Sequence, residues 1–192
     1  MSIICDVTSG LLALHQSDIV HGDVKVDNVL IFPDMTQNVS GMRAKLTDFG
    51  SIISLSQETF AQLTRYYGTQ RTNAPEVGLQ STSRRLDAAG LIRCDCYSLG
   101  LLAMEVILGD LSDHLVDKSP SVLGIALQEV GTSNLRDPEK RSISLAIPQF
   151  LAHNSEDRCF DLALVHSMLQ PANVEDFGLL RCVMPYIHCV ID

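Results

Sequence analysis

Ile3, Ile4, Val7, Leu11, Leu12 and Leu14 recur at helical spacing near the start of the chain. The pattern predicts an amphipathic helix over Ser2 to Gln16. Ile19-Val20 reads as the start of a short strand. Val29 to Phe32 and Ala44 to Thr47 read as two further strands, joined by the turn-rich loop Pro33 to Gly41. Residues 51 to 75 lack a clear period and are rich in Ser and Thr, which predicts a mobile segment. Asp95 to Leu108 is apolar nearly all round, as a buried helix would be, and Gly109 is placed to stop it. The polar stretch from Asp110 to Leu145 is placed only loosely. Cys159 to Leu169 reads as a helix stopped by Pro171, and Val174 to Tyr186 as another, broken near Pro185. With no internal repeat and no linker, the pattern describes one mainly helical domain.

Composition narrows the picture. A chain of 192 residues with 46% hydrophobic positions can bury a sizeable core. Its net charge of −9 repels nucleic acid and anionic membranes, so neither is expected as a partner. The apolar run from Tyr97 to Leu108 is too short to span a bilayer, which takes about 20 apolar residues. The six cysteines form no CxxC pair, and the histidines do not fall at zinc-ligand spacing beside them; Cys94 and Cys96, which flank Asp95, read as buried thiols. With no secretory signal visible, a reducing intracellular compartment, the cytoplasm, is the expected location.

The candidate chemistry lies in three short segments. His21-Gly22-Asp23-Val24-Lys25-Val26-Asp27-Asn28 and Leu46-Thr47-Asp48-Phe49-Gly50 are followed by Gly68-Thr69-Gln70-Arg71-Thr72-Asn73-Ala74-Pro75-Glu76. A lone Asp23 would read as an ordinary turn residue. In this order and spacing, the three segments resemble the catalytic loop, the DFG motif and the APE end of the activation segment of eukaryotic protein kinases. Lys25 resembles the serine/threonine branch. The resemblance implies an α+β kinase-like fold that is mainly α: the helical large lobe of the protein kinase fold, with a small β-hairpin at the active cleft. It implies transfer of the ATP γ-phosphate to a protein Ser or Thr.

In that family setting Asp23 would orient the substrate hydroxyl and take its proton, and Lys25 would hold the γ-phosphate as a point charge. Asn28 and Asp48 offer oxygen ligands to Mg²⁺ between the β- and γ-phosphates of ATP. Thr69 resembles the threonine whose hydroxyl bonds the catalytic Asp and Lys. Asp95 resembles the buried Asp that accepts catalytic-loop amides, a role suited to a carboxylate at a helix start. Phe49 is expected to pack into the core, and Gly50 to permit the turn that follows.

The sequence also departs from the family. No two glycines lie closer than seven residues, so the phosphate-cradling GxGxxG loop is absent. None of the four lysines, Lys25, Lys45, Lys118 and Lys140, precedes the catalytic loop. The resemblance thus covers residues 1–192 as a large lobe beginning within the helix before the catalytic loop, with the small lobe missing. Little or no activity is expected of these residues alone. Expected partners are a protein substrate or regulatory protein, and a chain supplying a small lobe. The alternative is a non-catalytic, pseudokinase-like binding module or a truncated gene product.

Without the small lobe, Ile3, Ile4 and Val7 are expected to stand exposed and drive self-association. Gly22 stands where many kinases carry an Arg that pairs with an activation-segment phosphate. Tyr66 and Tyr67 are among the candidate phospho-acceptors, with Ser51, Ser54, Ser56, Thr59 and Thr64. Glu76 has no Arg partner at the expected place after the penultimate helix, leaving Arg181 as a weak substitute.

Overall fold

A 21-residue helix, Ala88–Leu108, runs through the centre of the domain (α2 below). Asp87 caps its first turn by accepting the Gly90 N–H at 2.8 Å, and Gly109 ends it in the left-handed region, φ 86°. The helix therefore starts seven residues before Asp95, and Asp95 is an interior position. Its Leu91, Leu99, Leu101, Leu102 and Met104 are fully buried, which fits its apolar circumference.

A computed structural model of the chain describes residues 2–33, 41–55, 64–78, 85–111, 113–158 and 161–169. Around the central helix, in chain order, stand α1 (Ser2–Gln16), β1 (Ile19–Val20), β2 (Val29–Pro33), β3 (Met42–Leu46), β4 (Ile53–Ser54), β5 (Thr64–Arg65) and β6 (Arg85–Leu86). After α2 come α3 (Asp113–Val116), α4 (Val122–Thr132), α5 (Asp137–Leu151) and α6 (Leu162–Leu169). The fold is mainly helical, as expected. The strands make three separate antiparallel pairs, β1 with β4, β2 with β3, and β5 with β6.

β2 and β3 form the expected hairpin in a five-residue register from Val29↔Leu46 to Pro33↔Met42. Val29, Ile31 and Ala44 face the core, and Asp6 of α1 accepts the Ala44 N–H at 2.9 Å. Ile3, Ile4 and Val7, expected to be exposed, are buried, because α1 packs against both β3 and α6.

Three further corrections concern secondary structure. The described parts of residues 51–75 are not featureless: β4 and β5 lie there, paired to β1 and β6. The polar stretch after Asp110 holds α3, α4 and the start of α5. The helix expected from Cys159 begins at Leu162, and the one expected over Val174 to Tyr186 lies outside the described residues. Gly100 sets the α2–α5 crossing. A Cβ there would sit 2.6 Å from Phe150 Cβ and 2.7 Å from Leu151 Cδ2, so only glycine lets α5 come this near. Among the described residues no helix is long and apolar enough to cross a membrane.

Candidate functional site

The loop between β1 and β2 alternates. Val24 and Val26 are buried, whereas Asp23 and Lys25 keep access to solvent. Extended backbone produces this, with Lys25 at φ −162°, ψ 166°, so the valines anchor the loop and the charged pair shares the opposite side. Lys25 Nζ donates to Asp23 Oδ2 and to Thr69 Oγ1, both at 2.8 Å. The Thr69 hydroxyl donates to Asp23 Oδ1 at 2.7 Å. Asn28 Nδ2 donates to the Asp23 carbonyl at 2.8 Å and reaches Asp23 Oδ2 at 3.3 Å. The loop itself and a segment 46 positions away thus converge on one carboxylate.

Donor arithmetic leaves room for substrate. An ammonium carries three N–H donors and Lys25 uses two here; a carboxylate offers about four acceptor sites and Asp23 uses three. Burial pushes the Asp23 carboxyl pKa up, but hydrogen bonds from Lys25, Thr69 and Asn28 and the Lys25 charge outweigh it and hold it below 3.8. Asp23 is anionic at neutral pH.

The loop is fixed from behind by Asp95, fully buried in α2. Its Oδ2 accepts the His21 N–H at 2.7 Å and lies 3.0 Å from His15 Nε2. Its Oδ1 accepts the Gly22 N–H at 3.0 Å and the Tyr66 hydroxyl at 2.9 Å. The role foreseen for Asp95 is geometrically present, but in the body of the helix rather than at its start. His21 Nδ1 accepts the Asp23 N–H at 3.3 Å, which leaves Nε2 to donate to the Thr47 carbonyl at 3.0 Å. That bond ties the loop to the segment carrying Asp48. Gly22 takes φ 82°, and a Cβ there would run into the Ser51 carbonyl.

Asp48 is exposed and in the left-handed region, φ 60°, with Oδ1 accepting the Gly50 N–H at 3.3 Å. The turn is made by Asp48 itself and not by Gly50. It throws Phe49 onto His21, ring centroids 5.6 Å apart, rather than into the core, and leaves Phe49 50% exposed. Among the described residues no three His, Cys, Asp or Glu side chains converge as an ion site. The Asn28 amide uses its nitrogen on Asp23, which frees its oxygen. One amide oxygen and one exposed carboxylate fit Mg²⁺, which fills its remaining positions with phosphate and water oxygens.

Thr69 is held by its neighbours. Its carbonyl accepts the Thr72 and Asn73 N–H groups at 3.0 and 2.9 Å, and Ser98 of α2 donates to the Thr72 carbonyl at 2.9 Å. Beside it opens a groove of about 600 Å³ lined by Gln70, Arg71, Gly78, Val116, Asp117 and Lys118. A larger cavity, about 870 Å³, opens beyond Glu76 and is lined by none of Asp23, Lys25 or Thr69. Glu76 does have an arginine: Arg158 donates Nη1 to Oε1 at 2.6 Å and Nη2 to Oε2 at 2.8 Å. The partner stands in the turn after α5, ahead of the stretch beyond Leu169 where the family pattern puts it, and Arg181 lies outside the described residues.

Sequence reasoning missed Arg158 and His15, and it took Tyr66 for a phospho-acceptor, whereas that side chain is buried with its hydroxyl on Asp95.

Comparison with known proteins bears on these motifs. A family model described as protein kinase domain matches residues 1–170. The chain is 32% identical over 150 residues to the serine/threonine-protein kinase CLA4 of Saccharomyces cerevisiae, covering 78% of this chain and 16% of that protein. It is 30% identical over 153 residues to the serine/threonine-protein kinase CST20 of Candida albicans, covering 79% of this chain and 11% of that protein. To the serine/threonine-protein kinase STE20 of Saccharomyces cerevisiae it is 31% identical over 163 residues, covering 84% and 16%. The chain therefore spans between 11% and 16% of the length of these relatives.

Proposed function

The chain belongs to the protein kinase family, and on that premise we propose that its site serves transfer of the ATP γ-phosphate to a Ser or Thr hydroxyl of a protein. The clasp of Asp23, Lys25 and Thr69 supports this reading most directly, because it leaves one acceptor position on Asp23 and one donor on Lys25, two side chains 2.8 Å apart. The substrate hydroxyl oxygen attacks the γ-phosphorus, the bond to the β–γ bridging oxygen breaks, and ADP leaves. Asp23 orients the hydroxyl through its free acceptor position and takes the proton. Its lowered pKa makes it a weak base, so the proton moves late, as in a loose phosphoryl-transfer transition state. Lys25 holds a γ-phosphate oxygen with its third N–H. Asn28 and Asp48 would hold Mg²⁺, which neutralises phosphate charge when bound. The groove beside Thr69 receives the substrate chain on the side of the acceptor residue.

These 192 residues contain no GxGxxG loop and no lysine ahead of Asp23. Removing one preorganised charge stabiliser costs about 10²–10³ in rate, and here several go together. We therefore expect little or no transfer by this chain alone, and a small lobe supplied by another chain or a longer form. The second reading, a binding module for kinase substrates or regulators, draws on the same missing residues. The test is phosphate transfer to casein by the chain alone and by the chain fused behind a kinase small lobe. Transfer by the fusion only, abolished by Asp23→Ala, is expected. A silent fusion refutes the catalytic reading, and transfer by the chain alone refutes the need for the small lobe.

A further inference from the structure

We infer that Tyr66 is a positioning residue for the reaction centre, acting through Asp95 to seat Thr69 against Asp23. The inference rests on the reading of Asp23 and Thr69 given above. The Tyr66 side chain is 1% exposed, and its hydroxyl donates to Asp95 Oδ1 at 2.9 Å. The same oxygen accepts the Gly22 N–H at 3.0 Å, so one carboxylate joins the catalytic loop to the segment that carries Thr69.

The joint is tight. Gly68, between Tyr66 and Thr69, takes φ 40°. A Cβ on Gly68 would lie 2.8 Å from Tyr66 Cε1 and 3.0 Å from the Gly22 carbonyl oxygen. The same Cβ would run first into Asn73 Oδ1, so the tyrosine ring, the Asn73 side chain and the Gly22 backbone all close on Gly68. Gly22 has nothing to offer a phosphate, and the link is made instead by a neutral phenol on a buried carboxylate. Burial, and then the Asp95 charge, push the phenol pKa well above 10, so the hydroxyl stays a donor. The segment is thus held in the unmodified chain, with no need of a phosphate. Tyr67, 66% exposed, lies outside the joint, and of the two tyrosines it is the one open to modification.

The test is amide hydrogen exchange by NMR on the 192-residue chain, its Tyr66→Phe variant and its Tyr67→Phe variant. Tyr66→Phe keeps the ring and removes one hydrogen bond to a charged acceptor. The Thr72 and Asn73 amides, which bond the Thr69 carbonyl, are expected to exchange faster by on the order of tenfold, while α5 amides keep their parent rates. Tyr67→Phe is expected to change neither set. Unchanged Thr72 and Asn73 rates in Tyr66→Phe overturn the inference, and so does a uniform acceleration that includes α5. Should Tyr66→Phe not fold, nitration of the parent decides: modification of Tyr67 with Tyr66 spared supports the joint, and equal modification of both overturns it. Neither readout needs catalysis, so loss of the kinase reading alone would leave the exchange result standing.

Discussion

Arg158 offers the sharpest quantitative test of how the activation segment is tied down. Its side chain is fully buried and its guanidinium is saturated. Besides the bidentate bond to Glu76, Nε donates to the Ala152 carbonyl at 2.7 Å and Nη2 to the His153 carbonyl at 2.9 Å. Its Cζ lies 4.8 Å from the centroid of the Tyr97 ring. Arg158→Met would keep much of the volume and the contact with Tyr97 but strand the Glu76 carboxylate, which is 13% exposed. The nearest replacement is the Cys94 thiol, 3.6 Å from Glu76 Oε1 and a weak donor.

Breaking a buried ion pair from one side costs about 3–5 kcal/mol, which for a domain of this size lowers Tm by roughly 6–20 °C. Adding Glu76→Gln removes the stranded charge and is expected to restore about half of the loss or more. The assay is thermal unfolding of the parent, both single variants and the double variant, read as a double-mutant cycle. A Tm for Arg158→Met within about 3 °C of the parent would refute the reasoning. So would a double variant as unstable as the sum of the singles.

Four further outcomes are expected. Asp95→Asn, which turns an NH₂ toward donors that need an acceptor, should lower Tm by roughly 10 °C on the same scale, and an unchanged Tm would mean those donors find other partners. Gly22→Ala puts a Cβ against the Ser51 carbonyl at a positive φ and should cost about 2–4 kcal/mol in urea unfolding; equal stability would show that the loop relaxes. With a Kd of about 1 mM, 5 mM Mg·ATP should add about 1 kcal/mol and raise Tm by roughly 2–4 °C in the parent but not in Asp48→Ala, whereas equal shifts in both would remove Asp48 from the metal site. The Asp23 carboxyl has a folded pKa below its unfolded value of 3.8, so the stability it contributes is complete above that value and lost as pH falls through the folded one. The gap in stability between the parent and Asp23→Asn should therefore be flat above about pH 5 and shrink below about pH 4, and a gap that grows on acidification would reverse the sign of the shift.

What the sequence made legible was local. Ile3, Ile4, Val7 and Leu11 carry their helical period in four letters, and Gly109 stops α2 by needing only its own φ. The motif spacing singled out Asp23, Lys25, Asn28 and Thr69, which the fold brings together, and extended backbone puts Asp23 and Lys25 on one side whatever lies beyond. The failures were of two kinds. In α4 the apolar residues Val122, Leu123, Ile125, Ala126, Leu127 and Val130 were plain but sat inside a stretch that is polar on either side, and in α5 Ile143, Ala146, Ile147 and Phe150 were set among polar residues that hid them. Elsewhere the missing information was not local. Nothing near Glu76 points to Arg158, which is 82 positions away, and nothing near Tyr66 announces its hydrogen bond to Asp95. Phe49 was misplaced because its motif fixes the residue type while the left-handed Asp48 fixes where the ring goes.

The Asp95 carboxylate also dictates an order of events in time. Its bonds to the His21 and Gly22 amides bridge 74 and 73 positions of chain. A polypeptide emerging from the ribosome can form α1 and the β2–β3 hairpin early, from contacts between near neighbours. The loop from His21 to Asn28 must wait until residue 95 has been made and the helix bearing it has docked. The loop bearing Asp23 is therefore ordered only after a helix residue made 73 positions beyond Gly22, although its own residues are synthesised early. Pulse labelling of arrested nascent chains should find the His21 and Gly22 amides unprotected in chains that end before α2 and protected in those that include it.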